Sequence, residues 1–341
     1  MRWIQAGVGR WGRDWTRLFD GTAGHELVAV VDPSPEARAW ATGTLGLDPA
    51  MVVGEWAALP GTGADAVLVT TPPATHHEVA ATALRAGFPT LVEKPLATTM
   101  EDASSLVSLA REMGQPLMVS QNYRYTKLAR APRAAIAAGL IGTVLAARID
   151  FRRDTRTLFP SGEFRYTMDH PLVLDMAIHH FDLIRALTGD EPESVMARSW
   201  RVPDSPYAGD PACAALVGLG SGATVIYNGD WATHGPETGW NGDWEILGSD
   251  GRLTWRDDQI HVHRWLGGPV LVPDPGGPAD GREGVLAEFA AALSEGRQPE
   301  TSGADNLKSL ALTLACVQSI EREEMVWMGA AADDKSPHRT V

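Results

Sequence analysis

Three side chains have the types and spacing to handle a proton together: Lys94, which follows a short apolar run, and Asp175 and His179, four residues apart in a helical stretch. Read as a helix, Asp175-Met176-Ala177-Ile178-His179-His180-Phe181-Asp182 places Asp175, His179 and Asp182 on one stripe about 60° wide. Ala177, Phe181 and Ile184 point the other way, toward a core. Histidine suits general acid/base work because its ordinary pKa of about 6.5 lies near neutrality. A lysine ammonium can hydrogen-bond a hydroxyl and stabilise the alkoxide charge that develops as its proton leaves. Hydride removal from a secondary alcohol needs both. The expected roles are His179 as acid/base, Lys94 as the electrostatic group and Asp175 as their partner. Without Lys94, the stripe would read equally well as the solvated face of an amphipathic helix. His180 lies about 100° further round and is either a packing residue or a substrate contact.

Such chemistry needs a hydride acceptor, and the chain opens with a sequence able to hold one. Gly7-Val8-Gly9-Arg10-Trp11-Gly12 is a G-x-G-x-x-G run between a strand and a helix. Gly7 permits the turn, Gly9 lets the backbone approach a pyrophosphate, and Gly12 allows close helix–strand packing. The helix N-terminus adds donors and a favourable dipole, so Arg10 and Trp11 join the expected cofactor residues. Asp32 ends the second strand 20 residues after Gly12, where a carboxylate would meet the adenosine ribose. It would repel a 2′-phosphate, and no Arg or Lys follows until Arg38, which favours NAD over NADP. Asp32 could equally be the N-cap of the next helix.

The elements that carry these groups alternate. Strands are expected at Trp3–Ala6, Leu27–Asp32, Ala66–Thr71, Thr90–Glu93 and Leu117–Ser120, with helices between them. That rhythm implies a doubly wound parallel sheet. Thr71, Pro72 and His76 leave the carboxyl end of one strand, Glu93 and Lys94 another, and Asn122 and Arg124 a third; ligands bind at such ends. Beyond about residue 122, strands follow one another from Thr143 to Trp265 with one interrupting helix, roughly Leu172–Leu187, which suggests an antiparallel or mixed sheet. Gly267–Gly284 reads as a loop, and two helices, near Gly284–Leu293 and Ala304–Glu323, close the chain.

Composition narrows the partners. Hydrophobic residues at 44% and charged residues at 21% of 341 fit a globular chain of about two domains. A net charge of −14 argues against nucleic acid and anionic membrane surfaces. No apolar stretch reaches the roughly 18 residues of a membrane span. Cys213 and Cys316 lie far apart with no ligand-like neighbour, so a reducing cytoplasm and no metal site are expected.

The ordered set Gly7/Gly9/Gly12, Asp32, Glu93-Lys94-Pro95 and Asp175-x-x-x-His179 resembles the glucose–fructose oxidoreductase / inositol dehydrogenase / MocA family over almost the whole chain. The resemblance implies an N-terminal Rossmann domain (1–122) and a C-terminal α+β substrate and oligomerisation domain with a large open, mostly antiparallel sheet (123–330). Residues 331–341 are expected to fray. It implies an NAD(P)-dependent oxidoreductase acting on a secondary alcohol or ketone of a sugar, inositol or related polyol, with the same roles for Lys94, Asp175 and His179. Two other uses fit such a chain: tightly bound NAD for transient oxidation during elimination, epimerisation or glycoside cleavage, and a non-catalytic NAD-binding regulator. A homodimer or homotetramer is expected by analogy.

One departure bears on the substrate. Many members carry a Gly pair ahead of the catalytic helix, whereas here the chain reads Met168-Asp169-His170-Pro171, which brings a bulky titratable group toward the pocket. Arg152, Arg153, Arg156, Arg165, Tyr166 and His170 form a basic, hydrogen-bonding cluster able to hold hydroxyls or a carboxylate, or else a set of surface ion pairs. The Trp231–Trp244 segment, with Trp240 at its centre, could stack on a sugar or fill a core.

Overall fold

The computed structural model describes residues 1–329 except 60, 161, 269, 271, 273–275 and 277–279; the expected frayed tail and part of the Gly/Pro-rich loop lie outside the described residues. The described chain divides into two compact units, Met1–Asn122 with Ala279–Leu307, and Tyr123–Pro278 with the chain from Lys308 onward. The expected division was 1–122 and 123–330. The return of 279–307 to the first unit was not expected, and its cause is local pairing. The Val119 backbone exchanges hydrogen bonds with Thr301, and Phe289 packs on Trp3 with ring centroids 5.4 Å apart.

In the first unit, β1 (Arg2–Ala6), α1 (Arg10–Gly21), β2 (Glu26–Val31), α2 (Pro35–Thr44), β3 (Val52–Val53), β4 (Ala66–Val69), α3 (His76–Arg85), β5 (Thr90–Glu93), α4 (Met100–Glu112) and β6 (Leu117–Ser120) alternate. Their six strands lie parallel in the order β3-β2-β1-β4-β5-β6. This is the Rossmann order, whose strand sequence reverses between β1 and β4 and opens a crevice at their carboxyl ends. Every residue of β4, β5 and β6 is buried, as a sheet covered on both faces requires. The two-residue β3 is too short for a periodicity signal and was not expected.

In the second unit, α5 (Lys127–Ala137) precedes β7 (Val144–Arg152), and α6 (Ile178–Thr188) precedes β8 (Pro192–Trp200), β9 (Ala212–Leu219), β10 (Thr224–Asp230), β11 (Asp243–Gly248), β12 (Gly251–Arg256) and β13 (Gln259–Arg264). Two helices follow, α7 (Gly281–Glu295) in the first unit and α8 (Gly303–Arg322), and then β14 (Val326–Trp327). The eight strands run β13-β12-β11-β7-β10-β9-β8-β14, antiparallel except for β7 with β10. One face carries Ile149, Phe151, Val217, Tyr227, Trp244 and Ile246 into a core shared with Phe181 and Ile184 of α6. The other face sets Met196, Leu216 and Ile226 side by side at 47%, 50% and 41% exposure.

The helix expected at 172–187 is not regular. Residues Leu172–Ala177 form a π-helical turn before α6 begins, and Gly189, at φ 67°, ends α6 in the left-handed conformation. Asp175 lies on the wider turn, so the 3.6-residue spacing does not hold between it and His179.

Candidate active site

The glycine-rich turn is shaped by contacts that exclude side chains. Gly7 has φ 91°, and a Cβ there would lie 2.8 Å from the Thr71 backbone nitrogen; a Cβ on Gly12 would strike the Gly7 carbonyl. Above Gly9 the space is open, with nothing within 4 Å of a Cβ. The Gln5 side-chain amide nitrogen lies within 3.0 Å of Gly7 O, Gly12 O and Thr70 Oγ1, and the Thr70 hydroxyl donates to Gly7 O at 2.6 Å. The turn after β1 is thus tied to the loop after β4. The Thr71 hydroxyl is buried with no hydrogen-bond partner among the described residues. No acidic residue occupies the first turn of α1, which leaves its N-terminal dipole available to an anion.

These features fit a dinucleotide: an open approach over Gly9, donors at a helix N-terminus and an orphaned hydroxyl in the cradle. Asp32 accepts from Val8 N and Ser34 N, both at 2.8 Å, and so bridges the glycine turn to the end of β2. The N-cap of α2 is Ser34, which accepts from Ala37 N, and not Asp32. Trp11 is partly exposed, and the guanidinium of Arg282, from α7, stacks over it with Cζ 4.3 Å from the ring centroid. Sequence reasoning missed Arg282, because nothing local marks a residue about 270 positions from its partner.

At the end of β5, Glu93 and His76 differ from expectation. Both were expected to touch the cofactor. Glu93 is instead buried and accepts from the Trp15 indole N–H at 2.8 Å and from Lys94 N at 3.1 Å. His76 is buried with both ring nitrogens against backbone carbonyls, Nδ1 2.7 Å from Pro95 O and Nε2 2.9 Å from Thr71 O. Lys94 itself is half-buried, as is Asn122, while Pro72 is exposed.

In the second unit, Asp175, His179, Asp182 and Arg185 are all buried, so the polar stripe is not a solvated face. Asp175 accepts from Arg165 Nε at 2.6 Å, and Arg165 also bonds Glu163 at 2.9 Å. The His179 ring stacks on Tyr123, with centroids 4.3 Å apart and planes at 27°. Burial, with the Asp175 carboxylate adding to it, pushes the Tyr123 phenol well above its ordinary value, so it stays a neutral surface for the imidazole. Asp182 accepts from Arg124 Nε and Nη2 at 2.6 and 2.8 Å and from the Ser309 hydroxyl at 2.6 Å.

That pairing corrects the expectation that Arg124 reaches substrate or cofactor: its guanidinium is buried and spent on Asp182. His180 is corrected likewise. It is fully buried, with Nδ1 3.2 Å from the Tyr227 hydroxyl and Nε2 3.1 Å from Trp240 O. Burial pulls its pKa down to about 4, only partly offset by the Trp240 carbonyl, and keeps the ring neutral. Tyr166 gives its hydroxyl to the Arg156 and Phe159 carbonyls, both at 3.1 Å. Arg152 donates to Pro236 O and lies about 4 Å from Asp150 and Asp243.

The basic cluster as a whole is a set of ion pairs, with Arg153 on Glu237, Arg156 on Asp154 and Arg165 on Asp175. Trp231 and Trp244 are core residues, while Trp240 keeps an exposed edge under the Arg153 guanidinium at 4.7 Å. His170 is half-buried, and its Nδ1 is buried without a partner among the described residues. Cys213 and Cys316 are both buried, and the neighbouring Cys213 together with burial pushes the Cys316 thiol well above its ordinary value. Among the described residues no three His, Cys, Asp or Glu side chains are grouped to hold a metal, and no helix is long and apolar enough to cross a membrane.

A dinucleotide cradle on a 3-2-1-4-5-6 sheet, followed by a unit built on an open sheet, defines a class of two-domain nicotinamide oxidoreductases. Residues 1–121 match the oxidoreductase family with an NAD-binding Rossmann fold, and residues 129–254 match the GFO/IDH/MocA C-terminal domain. The chain belongs to the glucose–fructose oxidoreductase / inositol dehydrogenase / MocA family. It is 30% identical to 1,5-anhydro-D-fructose reductase of Ensifer adhaerens over 93% of this chain and 96% of that one. It is 28% identical to inositol 2-dehydrogenase of Rhizobium meliloti, over 96% and 98%. Among solved structures, an oxidoreductase from Agrobacterium radiobacter in complex with NAD+, L-tartaric acid and magnesium matches at TM-score 0.87 and 26% identity, over 97% and 99% of the two chains.

Proposed function

We propose that this chain is an NAD-dependent dehydrogenase that oxidises a secondary alcohol of a sugar, inositol or related polyol, or runs the reverse reduction. The observation that carries the reading is the Lys94 turn, which leaves the same sheet end as an open dinucleotide cradle and is fixed by Glu93. The similarity to a sugar reductase and an inositol dehydrogenase supports the substrate class. Bound nicotinamide supplies the hydride acceptor or donor.

The remaining work falls to this chain's own groups. Gly7, Gly9, Arg10, Trp11 and Gly12 hold the pyrophosphate side, and Thr71, Pro72 and Asn122 line the cofactor. Asp32 keeps lone pairs for the ribose hydroxyls, since each of its oxygens takes one backbone N–H. Arg38 Nη1 donates to the carbonyls of Asp32 and Pro33 at 2.9 and 2.8 Å, and the Asp32 carboxylate would repel a 2′-phosphate, which favours NAD over NADP. Lys94 Nζ hydrogen-bonds the reacting oxygen and stabilises its developing charge, while His179 takes or returns the hydroxyl proton. Asp175, anchored by Arg165, sets the local field and orientation at His179. The half-buried His170 and the partly exposed Trp240 are left to meet substrate hydroxyls. The apolar row Met196–Leu216–Ile226 is the surface through which the chain forms a homodimer or homotetramer.

The test is NADH absorbance over a panel of sugars, inositols and sugar acids with NAD and NADP in parallel. The expected result is stoichiometric NADH on a polyol or sugar, with NAD preferred at least about tenfold. Turnover without net NADH would replace this reading with transient oxidation.

A further inference from the structure

Lys94 can serve catalysis only if its turn is held in register with the cradle that takes the cofactor, and Glu93 secures it from one side alone. The other side is His76, at the first position of α3. One ring nitrogen faces Thr71 O, in the loop that abuts Gly7, and the other faces Pro95 O, next to Lys94. With the Thr70 hydroxyl on Gly7 O, this makes a continuous polar chain from the glycine turn to the lysine turn.

Resting on the role proposed for Lys94, we propose that His76 is a positioning residue that braces the Lys94-Pro95 turn against the cofactor cradle. It is not a cofactor contact: the ring is buried, and both of its nitrogens already face backbone carbonyls. Two carbonyls can both be satisfied only by a ring with two N–H groups, whereas a neutral imidazole has one donor and one acceptor. Burial opposes the second proton and pulls the ring below its ordinary value; the two carbonyls and Glu93 work the other way, and Lys94 adds to the lowering. The ring is therefore neutral near neutral pH and donates one bond, and the second is gained only as the medium turns more acid.

The experiment compares wild type, His76→Gln and Lys94→Ala. Glutamine can donate at one end but cannot span both carbonyls. The expected result for His76→Gln is a kcat lower by roughly 10- to 100-fold, the penalty typical of a catalytic group displaced by about an ångström. KM for NAD should stay within about twofold, so that the loss falls on kcat. Unchanged kcat overturns the brace, as does a raised KM for NAD with unchanged kcat, which would mark a cofactor contact. An inactive Lys94→Ala beside a wild-type-like His76→Gln overturns the brace alone; full turnover in Lys94→Ala overturns the role of the lysine first. Should His76→Gln not fold, His76→Asn carries the same comparison, with the same direction and a larger loss.

Discussion

In the first unit, Lys94 is held by groups that address the backbone: Glu93 takes Lys94 N, and His76 faces Pro95 O. In the second, the helix of His179 is held by buried charges: Arg124 pairs with Asp182, which also accepts from Ser309 and has Arg185 3.7 Å away, and Arg165 pairs with Asp175. Backbone-directed bonds fix a turn at little electrostatic cost. Buried ion pairs pay for desolvation through mutual attraction, so removing one partner leaves a charge that nothing balances. The two units should therefore respond differently to substitution.

The largest effect on folding is expected at Arg124. Arg124→Ala strands the Asp182 carboxylate in the core and should cost about 3–5 kcal/mol in urea unfolding; a loss under about 1 kcal/mol would mean that Ser309 and Arg185 suffice. Next comes pH. His180 is held neutral with a pKa of about 4, while the unfolded chain protonates near 6.5. The stability it contributes is complete above pH 6.5 and falls as pH drops toward 4, by about 3 kcal/mol in all. His180→Gln should flatten that part of the stability profile, and an unchanged slope would show that the acid sensitivity arises elsewhere. The smallest effect is expected in the first unit. Arg282→Ala removes the cation stacked on Trp11 and should weaken NAD binding by about two- to fivefold, in line with about 0.5–1 kcal/mol for such a contact, read by quenching of tryptophan fluorescence.

The same contrast explains what could be read from the residues alone. The glycine turn, Asp32, the Lys94 turn and most strands carry local signals: spacing, apolar runs and turn chemistry. The charged residues around α6 do not, because Arg124 finds Asp182 58 positions away and no short pattern foretells which arginine is spent on which carboxylate. The regular helix assumed over 172–187 failed at its start, since a π-helical turn has no 3.6-residue signature. His76 and Glu93 were placed at the correct sheet end but with the wrong partners, because position in a motif says nothing about where a ring or carboxylate turns.

In the proposed reaction Lys94 and His179, on differently built supports, serve one proton-coupled hydride transfer. A double-mutant cycle of Lys94→Ala and His179→Ala on the polyol that yields NADH tests it most directly. Each single change should lower kcat by about 10²–10⁴-fold, and the double variant should be scarcely slower than the worse single, as for groups that act as a unit. Losses that multiply would mean the two residues act independently, and wild-type turnover in either single variant would contradict the account.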